Sequence, residues 1–146
     1  MSVTTRVMKC SPERVFDVLS DGWMYASWVV GASRIREVDD DWPALGSRLH
    51  HSVGAWPALL DDNTEVEDVD PPRMLQLRAR AWPGGEAVVR IEIEALGAGS
   101  RVTITEQVVA GPARLVPKPL EEGILTRRNT ESLLRLAYLA ERRNQR

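Results

Sequence analysis

The sequence predicts an α+β domain: a curved antiparallel sheet of seven strands wrapped around one long C-terminal helix, with two short helices between the first and second strands. Three observations predict it. Apolar and polar residues alternate with period 2 through most of the chain. One helical stretch, Lys118 to Arg143, is long enough to cover a sheet face, spanning roughly 39 Å at about 1.5 Å per residue. The 146 residues fit one domain, and no repeat, low-complexity tract or linker divides them.

The elements follow in order. "SVTTRVM" alternates as a strand. "CSPERVFDVLSD" changes period: Ser11 suits an N-cap, Pro12 the first helical position and Glu13 the positive end of the dipole. "GWMYASWVVG", bracketed by Gly22 and Gly31, reads as a second short helix or turn. "ASRIREVD" and "SRLHHSVG" are strands around the turn "DDWPALG", and "AWPALL" is a loop. "NTEVEDVD" and "RMLQLRARAW" are separated by Pro71-Pro72, which cannot donate to a ladder. "WPGGEA" turns into "AVVRIEIEAL", and "GAGS" turns that strand into "RVTITEQVV". Leu75, Leu77, Ala79 and Ala81 share one face, as do Val89, Ile91, Ile93 and Ala95, and Val102 and Ile104. Such a sheet is wet on one side and covered on the other. The last helix is the only element long enough to cover it, and the short side chains Ala79, Ala81 and Ala95 should enlarge the space between them.

Composition removes several classes of function. Net charge is -2, and the basic residues are interleaved with acids rather than gathered into the stripe that nucleic acid requires. No run of about 18 apolar residues exists to span a membrane, and the N-terminus lacks the basic start and apolar block of a signal peptide; a cytoplasmic location is expected. The single cysteine, Cys10, permits no internal disulfide and no cysteine-based metal cage. There is no glycine-rich phosphate loop and no G-x-S-x-G elbow, and no cofactor is expected. An open sheet leaves edges compatible with a homodimer.

"SPERVFDVLSDGWMYASWVVGASRIREVD", then "GSRLHH", then a terminal helix opening "RRNTESLLRL", resemble the START/Bet v 1-like superfamily (SRPBCC), nearest its bacterial polyketide cyclase/dehydrase-like branch. The resemblance covers essentially the whole chain. It implies a helix-grip fold with an apolar tunnel between sheet and terminal helix. For function it is less specific, because the superfamily includes carriers, cyclases and hydrolase-like enzymes.

Three polar residues stand where apolar ones are expected. At about 100° per residue, Asn129 falls on the helix face that carries Leu125, Leu133, Leu136 and Ala140, while Arg128, Glu131, Arg135 and Arg142 fall on the other. A buried, unpaired amide costs roughly 1–3 kcal/mol. Asn129 therefore either bonds a neighbour or trapped water, or orients a ligand. Alternation from Val102 and Ile104 carries Glu106 to the covered face, where desolvation of a carboxylate would suit it to acid/base work. A bulge, or pairing with an Arg at the rim, would remove that role. His51 shares parity with Leu49 and Val53; it is either a satisfied or edge-exposed histidine, or a neutral base. Tyr25, Trp28 and Trp56 lie in turn-rich stretches beside the expected opening, and five Trp beside one Phe suggest a wall that stacks on a flat ligand.

Two functions follow as expectations. One is a carrier for a small apolar molecule (polyketide, isoprenoid, quinone or lipid), contacted by Asn129, Tyr25, Trp28, Trp56, Leu125, Leu133, Leu136 and Ile91. The other is a cyclase or dehydratase with Glu106 and His51 as acid/base groups and Asn129 on a carbonyl oxygen. The sequence leaves open whether any reaction is catalysed.

Overall fold

A computed structural model describes residues 1–53 and 60–143. The chain runs β1 (Ser2–Met8), α1 (Pro12–Ser20), a 3₁₀ turn (Gly22–Met24), α2 (Tyr25–Trp28), β2 (Ala32–Val38), β3 (Arg48–Val53), β4 (Leu60–Asp70), β5 (Met74–Ala81), β6 (Gly85–Leu96), β7 (Gly99–Ala110), a second 3₁₀ turn (Pro112–Leu115) and α3 (Lys118–Arg143). The seven strands form one antiparallel sheet in the order β1-β7-β6-β5-β4-β3-β2. This is the α+β helix-grip architecture expected from the sequence. No helix among the described residues is long and apolar enough to cross a membrane.

Local chemistry sets the boundaries. Ser11 caps α1, its side chain accepting from the Arg14 N–H, and Pro12 opens the helix. Strand β4 begins at Leu60, three residues before the expected start. Asp61 and Asp62 have poor strand propensity, but pairing with Ser52 and His51 of β3 draws them into the ladder. Along β1 the inward positions are Ser2 and Met8, while Val3 and Val7 are exposed on the outer face.

The interface between sheet and α3 differs along the helix. Leu133, Leu136, Ala137 and Ala140 are buried in the core with Val15, Phe16 and Leu19 of α1 and Ile91, Ile93 and Val102 of the sheet. The N-terminal half of α3 instead borders a hollow, through Glu121, Ile124, Leu125, Arg128, Asn129 and Ser132. Ala79 and Ala81 border the same hollow, as expected, and Ala87 joins them. Ala95 does not. It is exposed next to the β6–β7 turn, where it pairs with Ser100. Strand β6 is longer than the face that the core covers.

Two glycines meet where β6 starts beside the end of β7, and one of them, Gly85, borders the hollow. Gly85, with φ of 141°, would place a Cβ 2.1 Å from the Ala110 carbonyl oxygen, and Gly111, with φ of 87°, packs directly against Gly85. Gly97 has φ of 61° but open space around it. Gly85→Ala should therefore cost at least about 2 kcal/mol and Gly97→Ala about 1 kcal/mol, as read by denaturant unfolding. Equal costs would mean that the close approach at Gly85 does not matter.

Candidate functional site

The hollow has a volume of about 360 Å³, within the range of roughly 300–1,000 Å³ usual for small-molecule pockets. Its apolar wall comes from Leu77, Ala79, Val89, Ile104 and Val108 of the sheet, Trp28 and Val29 near α2, and Ile124 and Leu125 of α3. Two polar clusters interrupt it.

The first cluster joins β7 to α3. Alternation holds through β7 without a bulge at Glu106, so its side chain points inward and is 3% exposed. One turn pair on α3 receives it. Asn129 Nδ2 donates to Glu106 Oε1 at 3.1 Å, and Arg128 Nη2 donates to Glu106 Oε2. This answers the question that Asn129 raises: its amide is satisfied by a carboxylate across the interface, and the carboxylate is held through both oxygens. The expected outward placement of Arg128 is corrected, because its guanidinium reaches back over the helix edge to the cavity. At about 100° per residue Arg128 lies only about 60° from Leu125, the nearest to the apolar face among the charged residues assigned outward. Its long stem covers the remaining distance.

The second cluster joins α2, β3 and β4. His51 is 3% exposed, and its Nε2 hydrogen-bonds the Thr64 hydroxyl at 2.9 Å. The Tyr25 hydroxyl shares that same Thr64. Tyr25 stacks on the imidazole with centroids 6.1 Å apart and meets Trp28 edge-on at 5.6 Å. Burial pushes the His51 pKa below its ordinary value of 6.5, opposed by the Asp62 charge, so the ring is neutral. Burial likewise raises the Tyr25 pKa, and Glu106 adds to the rise while Thr64 and Arg128 oppose it. Tyr25 is therefore a neutral phenol.

The His51 shift carries a pH signature. The folded state resists protonation, whereas the unfolded chain takes up a proton near pH 6.5. This contribution is intact above that pH and is lost as pH falls below it. Between pH 6.5 and 5.5 it amounts to at most about 1.4 kcal/mol. Acidification from pH 7.5 to 5.5 should lower the Tm of the wild type more than that of His51→Gln. Parallel pH profiles would contradict a buried neutral imidazole.

The structure brings together Glu106, Asn129, His51, Tyr25, Trp28 and Leu125, all of which border the cavity. Leu133, Leu136 and Ile91 pack in the core and do not border it. Trp56 lies outside the described residues. Among the described residues, Trp28 is the tryptophan of the expected wall that borders the cavity: Trp42 is buried elsewhere with Nε1 donating to the Leu19 carbonyl, Trp23 is exposed, and Trp82 donates to Glu86. Sequence reasoning missed Ser132, whose hydroxyl accepts from the Val30 N–H, and Thr64, fully buried between Tyr25 and His51. The parity of Thr64 with Val66 was the available signal.

Comparison with known proteins agrees with this architecture. Solved structures of similar fold include Zhui aromatase/cyclase from Streptomyces sp. R1128, at 18% identity and TM-score 0.74 over 97% of this chain and 93% of that one. Protein NE0264 from Nitrosomonas europaea matches at 17% identity and TM-score 0.74, over 99% and 96%. Ara h 8.0201 matches at 10% identity and TM-score 0.71, over 95% and 96%. At these identities the likeness is one of fold. A search of curated proteins finds no match. The model of the family described as polyketide cyclase / dehydrase and lipid transport matches residues 1–141, nearly the whole length, and the chain belongs to that family.

Proposed function

We propose that this chain binds a small, largely apolar molecule, of the polyketide, isoprenoid, quinone or lipid kind, between the sheet and the N-terminal half of α3. The observation that carries the reading is the hollow itself: about 360 Å³ walled mainly by aliphatic and aromatic side chains, with few polar groups. Family membership and the aromatase/cyclase and Ara h 8.0201 folds support it. Titration with a neutral, environment-sensitive dye such as Nile red, followed by displacement with candidate lipids and polyketides, tests it. Saturable uptake and displacement are expected. No uptake by the folded protein would overturn the reading.

A second reading, a cyclase or dehydratase, draws on one observation: Glu106, Asn129 and His51 border a single cavity. Against it, both Glu106 oxygens already have protein partners and the His51 Nε2 bonds Thr64, which leaves the buried His51 Nδ1 as the one ring nitrogen with no partner among the described residues. Incubation with a reactive polyketone distinguishes the two. Turnover that Glu106→Gln abolishes would favour the enzyme, and unchanged recovery of the polyketone would favour the carrier.

A further inference from the structure

We propose that the ligand's polar end is an uncharged carbonyl group, as in a ketone, quinone, ester or lactone, held by Arg128, and that the cavity rejects carboxylates. This inference rests on the binding reading above.

The donor comes first. A guanidinium has five N–H groups, and among the described residues Arg128 meets one partner, Glu106, through Nη2. Its other nitrogens have no partner among the described residues, the residue borders the cavity, and its side chain is 35% exposed. Arg80, the other arginine at the cavity, has its nitrogens taken by Asn63, Glu65 and Glu86. An apolar ligand with a hydrogen-bond acceptor therefore finds its charged donor at Arg128. The carboxylate of Glu106 has no lone oxygen to offer, being bonded by both Arg128 and Asn129.

Charge then selects the kind of acceptor. Glu106 already balances Arg128. Over the whole described border there are two arginines and three glutamates, Glu86, Glu106 and Glu121, so one negative charge is in excess. The buried His51 and Tyr25 are both neutral. A carboxylate brought here would be desolvated against a matched ion pair and a surplus acid, with no unopposed cation to compensate it. A carbonyl oxygen needs only donors. It accepts a charge-assisted hydrogen bond from Arg128 and brings no charge to offset.

Four probes of one shape test this: naphthalene, 2-acetylnaphthalene, 2-naphthoate and 2-naphthylmethylammonium, each competing with Nile red at pH 7.5. The ketone should bind roughly tenfold or more tighter than naphthalene, the worth of a hydrogen bond to a charged donor, and the carboxylate weaker than naphthalene. In Glu106→Gln the cation is no longer balanced, and the carboxylate should gain about tenfold or more. In Arg128→Gln the ketone should fall to the level of naphthalene. Tightest binding of the carboxylate or the ammonium by the wild type would overturn the inference, as would an unchanged ranking in both variants. Uptake of naphthalene with no ketone preference removes the inference alone. Uptake of none of the four removes the binding reading with it. The wild-type ranking decides even where a variant fails to fold.

Discussion

Ala79→Phe is expected to abolish uptake of apolar ligands while leaving the fold at least as stable as the wild type. Ala79 lies opposite Ala87 on β6, and both border the hollow. A phenyl ring at this position enters empty space rather than packed atoms, so it avoids the overpacking cost of roughly 1–3 kcal/mol seen in filled cores. It also buries apolar surface, which stabilises by up to about 1.5–3 kcal/mol. The ring occupies volume that a ligand needs, and affinity should fall by about a hundredfold or more. Leu136→Ala supplies the contrast. That side chain is fully buried in the core, and its loss should cost about 2–5 kcal/mol without touching the cavity wall. Dye titration and thermal unfolding of both variants separate the two regions of the interface. A strongly destabilised Ala79→Phe would mean that the hollow is already full.

Arg128→Met should destabilise the protein by about 2–3 kcal/mol in denaturant unfolding. Removing one partner of a buried ion pair costs roughly 3–5 kcal/mol, because the remaining charge stays buried without compensation. The lower figure applies because the Arg128 side chain is 35% exposed, while Glu106 is 3% exposed and would keep only the Asn129 amide. Adding Glu106→Leu to Arg128→Met should recover most of the loss, since the stranded carboxylate goes with it. A double variant as unstable as the sum of its single variants would show that the two residues act independently and that the pair does not join β7 to α3.

The elements of this fold were legible because they rest on short-range rules. Period-2 alternation located the strands and carried Glu106 and His51 to the covered face. Helical periodicity put Asn129 beside Leu125, and the Ser11–Pro12 pair marked the start of α1. What remained hidden depends on distances between elements. Periodicity assigns Leu125, Leu133 and Leu136 to one face, but not the point along the helix where the sheet recedes from it. Leu125 therefore borders the hollow while Leu133 and Leu136 are packed solid. Arg128 was hidden for a related reason. A Cβ direction places it at the edge of the polar face, and only a nearby buried carboxylate gives its long side chain a reason to fold inward. Tryptophan content misled, because Trp23, Trp42 and Trp82 do not border the cavity: Trp23 is exposed, and Trp42 and Trp82 give their indole N–H groups to the Leu19 carbonyl and to Glu86.

A crystal structure of the protein grown with 2-acetylnaphthalene tests the central claim most directly. The account predicts one ordered probe enclosed by Val89, Ile104, Leu125 and Tyr25, with its carbonyl oxygen toward Arg128. Side chains filling that space, with the probe absent or held only on the outer surface, would contradict it.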